Sequence, residues 1–438
     1  MDLILAAAFG VMTHFAQFDN VAAMPLFKQL GATHIRDEQY WNHIEGQPRV
    51  FTFPAKFTSY MAAAKSNGLA TLIVLDWSNR YYDYSAGDFT FPYTDAGRAA
   101  FVRYALEVLA KYPEIKAVEV WNEVNAGTFI KGPATSDKAG YYALLLKALY
   151  PALKAARPDL IVIAGATVPV AHGFLRDLVA KGASPFFDAV SVHPYVSPEV
   201  VSLDLSELRE IVPGKPIWVT EFSSSTQDIN EQARYTTQMV AEMLSQGVVG
   251  MFYYLGVDSG KFVNRGLLSS ALSPRPVYYA YSTAIRQLQG ARFLSRWAGL
   301  HYSIHALKFD TATVIWSKLP SVVRLSSSGP VTICDMLGEE SVGVPQDGRL
   351  DLHIDSAPRY LRGPITSIVE VTNPVIADAE SGYSDTQGRN GWQYGYATVA
   401  GKYDPSLFKQ MTWGIFFSDN FRWIGLSSVH FVQTQGGQ

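Results

Sequence analysis

The sequence predicts an α/β protein: a (β/α)8 barrel, then a small antiparallel β-domain and a further β-rich module. Three observations carry this. Over residues 1–297, short apolar runs rich in β-branched residues alternate eight times with longer helix-patterned segments. After Trp297 the alternation stops and short two-residue-period runs follow, split by Pro, Gly and Ser turns. Polar or aromatic residues close nearly every barrel strand, where a parallel barrel gathers its functional groups. The competitor, an open doubly wound sheet, rarely runs to eight such units, and no Gly-x-Gly-x-x-Gly follows the first strand.

The strands are predicted at 9–13, 33–36, 70–75, 117–121, 161–164, 189–192, 217–220 and 250–254. Helices are predicted at 24–30, 55–67, 97–111, 138–156, 174–181, 203–212, 230–246 and 276–288. Gly or Pro punctuates several helix ends, as in Asn67-Gly68 and Arg157-Pro158. The β-domain is expected over 298–362, with strands at 301–305, 306–309, 313–317, 322–325, 331–335 and 350–354. From 363 to 438 the chain turns rich in aromatics, glycine and amides, with strands expected at 411–417 and 421–425. This last module reads either as carbohydrate-binding or as incomplete. Trp392, Tyr394 and Tyr396 alternate, so they share one face of a strand, as a sugar platform or as a core face.

Composition narrows the partners. Of 438 residues, 48% are hydrophobic and 17% charged, a well-packed globular balance. The net charge of −3, with no long basic run, gives no electrostatic footprint for nucleic acid. The single cysteine, Cys334, allows no intrachain disulfide and no thiolate metal site. Residues 3–12 have the apolarity of a leader core but lack its basic flank, and they run into Thr13-His14 as a first strand would. No stretch approaches the ~20 apolar residues of a membrane span. A secreted or periplasmic location with the leader removed is expected, the cytoplasm being the alternative.

The rim of the barrel, read strand by strand, offers His14, then Arg36 with Asp37 and Glu38, Asp76-Trp77, Asn122-Glu123, His193-Pro194-Tyr195, Glu221, and Tyr253-Tyr254. Two of these stand out. Val118-Glu119-Val120-Trp121-Asn122-Glu123 and Ile217-Trp218-Val219-Thr220-Glu221-Phe222 each deliver a carboxylate just as a buried strand ends. Two carboxylates on one rim are what glycosidic bond cleavage needs. Alternation points Glu119 away from the rim layer of Glu123 or into the barrel below it, where a structural partner is the favoured reading over a functional one.

Trp-Asn-Glu ending the fourth strand, Thr-Glu-Phe ending the seventh and His-Pro-Tyr after the sixth resemble the retaining glycoside hydrolases of clan A. With the β-domain behind the barrel, the chain looks most like glycoside hydrolase family 39, which includes β-xylosidases, α-L-iduronidases and bacterial exopolysaccharide hydrolases. The resemblance implies Glu123 as general acid/base, Glu221 as nucleophile, and Asn122 as a hydrogen-bond partner of the 2-hydroxyl of the reacting sugar. Arg36 would hold Glu221 ionised, its plainer alternative being an ion pair with Asp37 or Glu38. Tyr195 would donate to Glu221, and His193 would shape the pocket or satisfy a core hydrogen bond. Trp77, Trp121, Tyr81 and Tyr254 are candidates for a sugar-stacking wall. Tyr254 stands where many clan members carry tryptophan. His14 and Asp76 complete the expected binding set.

No cofactor is expected, and no His-x-His or His-x-x-x-His spacing argues for a metal. The loops at 124–136 and 223–228 are short, which favours an open cleft and internal cleavage of an exopolysaccharide. An exo-acting β-xylosidase-like enzyme is the alternative. A non-catalytic carbohydrate-binding barrel and an inverting hydrolase are the readings outside that mechanism.

Overall fold

The computed structural model describes residues 7–260 and 262–371, together with four two-residue strands further on. Eight parallel strands close a barrel: β1 Ala8–Met12, β2 His34–Glu38, β3 Ala70–Leu75, β4 Ala117–Val120, β5 Ile161–Thr167, β6 Ala189–Val192, β7 Ile217–Phe222 and β8 Gly250–Tyr253. Each pairs with the next and β8 returns to β1, so no edge is left open. All eight expected strands are present. Around them lie α1 Met24–Leu30, α2 Ala55–Ser66, α3 Asp95–Lys111, α4 Lys138–Ala156, α5 His172–Ala180, α6 Pro198–Ile211, α7 Ile229–Ser245 and α8 Pro276–Leu288. Side chains start several of them: Thr94 accepts from the Gly97 amide, Asp137 from Gly140, and Asp228 from Asn230 and Glu231.

The barrel interior is filled in layers. At its base Trp218 and Phe252 stack with centroids 6.1 Å apart, among Ala8, Leu72, Ala117, Ile163 and Ala189. These two rings explain two glycines. A Cβ at Gly10 would meet the Phe252 ring at 2.2 Å, and one at Gly250 would meet the Trp218 ring at 2.2 Å. Above this apolar plug lies a charged layer, Arg36 against Glu119, both fully inside the barrel. The rim comes next.

Two irregularities in the barrel matter for the site. Between β7 and β8 the register passes from Val219–Met251 to Phe222–Tyr253, so β7 holds one extra residue. Between β5 and β6 it passes from Ala164–Val190 to Thr167–Val192, again one residue more on β5. Such bulges re-aim side chains at barrel rims. In β7 the bulge lets both Thr220 and Glu221 engage groups at the barrel mouth, which strict alternation would forbid.

After the barrel, a six-stranded sheet forms from β9 Phe293–Arg296, β10 Ile304–Phe309, β11 Thr313–Ser317, β13 Val331–Asp335, β14 Glu340–Gly343 and β16 Arg359–Arg362. A three-stranded sheet pairs β12 Ser321–Ser327 with β15 Arg349–Ile354 and β17 Ile365–Glu370. Ile304, Ile315, Val323, Leu325, Leu352 and Ile368 fill the core between the sheets. Arg296 on β9 and His305 on β10 both reach the buried Glu242 on α7, tying this domain to the barrel.

The expected bounds of the β-domain are too narrow at both ends. The sheet starts at Phe293, before 298, and β17 extends past 362 because it pairs with β12. The two runs expected at 301–305 and 306–309 form the one strand β10. Residues 1–370 make one compact unit and 371–438 another. In the latter, Trp392–Gln393 pairs with Val432–Gln433 and Gly395–Tyr396 with Lys409–Gln410. The strands expected at 411–417 and 421–425, and the shared face of Trp392, Tyr394 and Tyr396, lie outside the described residues. Among the described residues, no helix is long and apolar enough to cross a membrane.

Candidate active site

At the mouth of the barrel is a cleft of about 1110 Å³. Glu123 and Glu221 both line it, with Asn122, His14, Trp77, Tyr195 and Tyr254. One carboxylate oxygen of each glutamate lies within 4.8 Å of the other.

Glu221 is held by the bulged end of β7. Arg36 Nη1 donates to its Oε1 at 2.7 Å, and the Tyr195 hydroxyl donates to its Oε2 at 2.6 Å. The same guanidinium reaches Glu119 Oε2 at 2.7 Å through Nε and Asn122 Oδ1 at 2.8 Å through Nη2. Burial alone would raise the Glu221 carboxyl. His193, the Arg36 guanidinium and the Tyr195 hydroxyl outweigh that and hold it below the usual carboxylate range. Burial also pulls against the charge of Arg36, but Glu119 and Glu221 together raise its pKa. For Tyr195, burial first and the Glu221 charge second push the phenol well above its ordinary value, so it stays a donor.

Glu123 is held differently. It follows β4 on a turn in which Trp121 (φ 67°) and Glu123 (φ 46°) both occupy the left-handed region. Such conformations cost roughly 1–3 kcal/mol each for a residue with a side chain and persist where the surroundings impose them. Here the Glu123 amide donates to the Ala166 carbonyl at 2.9 Å, on the β5 bulge, and the Trp121 indole donates to the Phe129 carbonyl at 2.7 Å. Among the described residues the Glu123 carboxylate has one close partner: His193 Nδ1 lies 3.1 Å from Oε1. His193 Nε2 is 3.1 Å from Thr220 Oγ1, and Nδ1 is 3.7 Å from Glu221 Oε2. The imidazole thus sits between the two acids, fully buried.

Three members of the expected binding set do not line the cleft. Arg36 and His193 lie behind the carboxylates, 1% and 0% exposed, and act on the site through them. Asp76 is sealed beneath the surface, its carbonyl capped by the Trp41 amide and its carboxylate oxygens without a partner among the described residues. Its burial and the nearby Glu38 push that carboxyl well above its ordinary value. Two members of the proposed stacking wall also lie elsewhere. Trp121 is fully buried, its ring packed against Phe91 and Phe101 because the left-handed turn rotates it outward. Tyr81 is exposed away from the cleft, donating to the Gly46 carbonyl at 2.8 Å.

Trp77 remains on the wall, backed by Phe89 and Phe129 with centroids 5.0 and 5.2 Å away. Glu119 lies inside the barrel as Arg36's second partner.

Other cleft residues escaped the sequence reading as site members. Glu38 lines the cleft, accepting from Gln17 Nε2 at 2.8 Å and from the Tyr40 hydroxyl. Its position at the end of β2 was a usable signal. Phe262, Arg265 and Ser223 also line the cleft. The first two come from an unpatterned stretch after β8 that carries no signal of its own.

Glu123, His193 and Glu221 are the one group among the described residues whose ligand atoms lie close enough to share a metal ion. Each atom already has a protein partner, and the positive charge facing Glu221 comes from Arg36. The donor set therefore fits proton and charge handling by side chains.

Residues 116–281 match the family model described as glycosyl hydrolase catalytic core, a span that contains both Glu123 and Glu221. No curated protein matches the chain by sequence. The same fold recurs in a family 39 glycoside hydrolase from the gut symbiont Bacteroides cellulosilyticus WH2 (23% identity, TM-score 0.68, covering 81% of this chain and 80% of that one). It recurs also in a monomeric β-xylosidase from Caulobacter crescentus CB15 (18%, 0.59, 82% and 98%) and a family 30 endoxylanase from Clostridium papyrosolvens C71 (13%, 0.58, 82% and 96%). The expected resemblance to clan A hydrolases is borne out: the chain carries a glycosyl hydrolase catalytic core on their barrel and is a glycosidase.

Proposed function

We propose that this glycosidase works with retention of configuration, by double displacement, and cleaves internal bonds of a microbial exopolysaccharide. The observation that carries the mechanism is the approach of the two carboxylates to within 4.8 Å, with Glu221 alone fixed by a guanidinium. Retaining enzymes need about 5–5.5 Å between the acids, whereas inverting ones need roughly 6.5–9.5 Å to admit a water.

In the first step Glu123 gives its proton to the glycosidic oxygen as the Glu221 carboxylate attacks the anomeric carbon. The C–O bond to the leaving sugar breaks, that sugar departs as an alcohol, and a glycosyl ester forms on Glu221. In the second step Glu123, now a carboxylate, takes a proton from water. The water oxygen bonds to the anomeric carbon and Glu221 leaves as carboxylate. Asn122, its Oδ1 occupied by Arg36, keeps its amide N–H groups for a sugar hydroxyl.

Support for internal cleavage is the run of the cleft past the pair. Trp77, Phe89 and Phe129 line it on the β3–β4 side, and Pro198, Glu199 and Tyr235 on the β6–β7 side. The product profile on a panel of bacterial exopolysaccharides and xylans tests this. Oligosaccharides of several lengths from the start fit the proposal; monosaccharide alone contradicts it. That second outcome would favour an exo-acting β-xylosidase-like enzyme, a reading supported by the Caulobacter crescentus β-xylosidase among the similar structures.

A further inference from the structure

The charge around the cleft is uneven. Glu38, Glu123, Glu199, Glu221 and Glu231 line it, and Arg265 is the one arginine or lysine among the described residues that does so. Glu221 is answered by Arg36, Glu199 by Lys318 and Glu231 by Arg234. Arg265 makes no ion pair with any described residue. Its Nη2 donates to Ser223 Oγ at 3.3 Å, two residues beyond Glu221, and its Nε is buried with no acceptor among the described residues.

The loop holds Arg265 in place while leaving its charge unspent. Asp258 accepts from the backbone amides of Asn264, Arg265 and Gly266 at 3.0, 2.9 and 2.6 Å, and its carboxylate is paired with Arg275. The Arg265 backbone is thus fixed by the acid that its side chain does not reach. Tyr254 closes the other side, its hydroxyl within electrostatic reach of both Arg265 and Glu221.

A half-buried guanidinium that lines a cleft, with no carboxylate partner among the described residues, asks for an acceptor. Its planar fork suits a carboxylate or an ester sulfate, and a neutral hydroxyl would leave the charge unanswered. Among the described residues Arg265 is the one unpaired cation on the lining, enough for a single acidic group and not for a polyanion. The fit is therefore to one acidic group in an otherwise neutral stretch of glycan.

We propose that Arg265, with Ser223 and Tyr254, forms a specificity-determining subsite for the carboxylate of a uronosyl residue bound beside Glu221. The proposal rests on the glycosidase reading for its substrate class, but its test does not need turnover. Binding of D-glucuronate, glucose 6-sulfate and D-glucose is measured by saturation-transfer NMR on the wild-type protein and on Arg265→Gln and Arg265→Lys, with melting curves showing that each variant is folded.

Wild type should bind D-glucuronate about tenfold or more tightly than glucose, the size expected for a charge-assisted pair. Arg265→Gln should remove the preference, and Arg265→Lys should keep part of it. Preference for glucose 6-sulfate over glucuronate would overturn the carboxylate assignment in favour of a sulfate ester. Equal binding of glucuronate and glucose, no binding of either, or a preference that survives Arg265→Gln would overturn the subsite itself. Free monosaccharides have no glycosidic bond, so the two proposals fail separately. A protein that binds glucuronate through Arg265 yet cleaves no glycan would sink the hydrolytic reading and leave this one standing.

Discussion

The ends of β4 and β7 each present one glutamate to the same cleft, but they hold it in opposite ways. At β7 the backbone is extended apart from one bulged residue, and the carboxylate is gripped by Arg36 and Tyr195. At β4 the backbone is strained, with two left-handed residues, while the carboxylate has, among the described residues, the single contact to His193. The difference matches the two jobs. A group that must stay ionised and attack along one line gains from fixed charge and fixed direction. A group that must give up a proton and take it back gains from few commitments, with its position set by the backbone instead.

If that division is right, the largest effect comes from the gripped acid. Glu221→Gln should lower turnover by at least about 10⁴-fold, the scale on which loss of a covalent nucleophile acts, while leaving glycan binding intact. Steady-state rates with binding measured in parallel check it. Arg36→Met comes next. It leaves Glu119 and Glu221 buried without their cation, and breaking such a pair typically costs about 3–5 kcal/mol. Urea unfolding should show that loss, and a variant as stable as wild type would mean that the guanidinium is not needed to hold the rim.

The loosely held acid should behave differently. Glu123→Ala should slow hydrolysis roughly 10²–10⁴-fold for ordinary sugar leaving groups, and much less for a nitrophenyl leaving group that departs without a proton. Equal losses on both would break the contrast.

The smallest effect concerns pH. Glu221 titrates below its reference value of 4.5, so the acid limb of kcat/KM should fall below pH 4.5. Tyr195→Phe removes one of the groups that depress it and should move that limb to higher pH. The sign for stability is the same as for any depressed carboxyl. The contribution of ionised Glu221 is complete above 4.5 and is lost as pH falls through its lower folded value.

The sequence made the strands legible because a parallel barrel strand, buried on both faces, is a short unbroken apolar run with a polar end. Glu123 and Glu221 could be found for the same reason. The bulges at Thr220–Glu221 and Gly165–Ala166 could not, since one added residue leaves the run of side-chain types unchanged. Without the left-handed turn at Trp121, its tryptophan reads as facing the cleft. Asp76 ends a strand as a rim residue should, but the Trp41 segment folds over it, a tertiary effect with no local trace. Strand β14 was missed because its residues are mostly exposed and lack two-residue alternation. Arg265 lies in a loop whose shape is set by Asp258, seven residues earlier, through backbone amides rather than by a motif.

The central claim is that the two carboxylates are close enough for one of them to attack the sugar. The anomeric configuration of the first-formed product, followed by proton NMR before mutarotation, tests it most directly on whichever glycan the substrate panel identifies. The account predicts that the new reducing end carries the same configuration as the bond that was cut. A first product of opposite configuration would show a single displacement by water and contradict it.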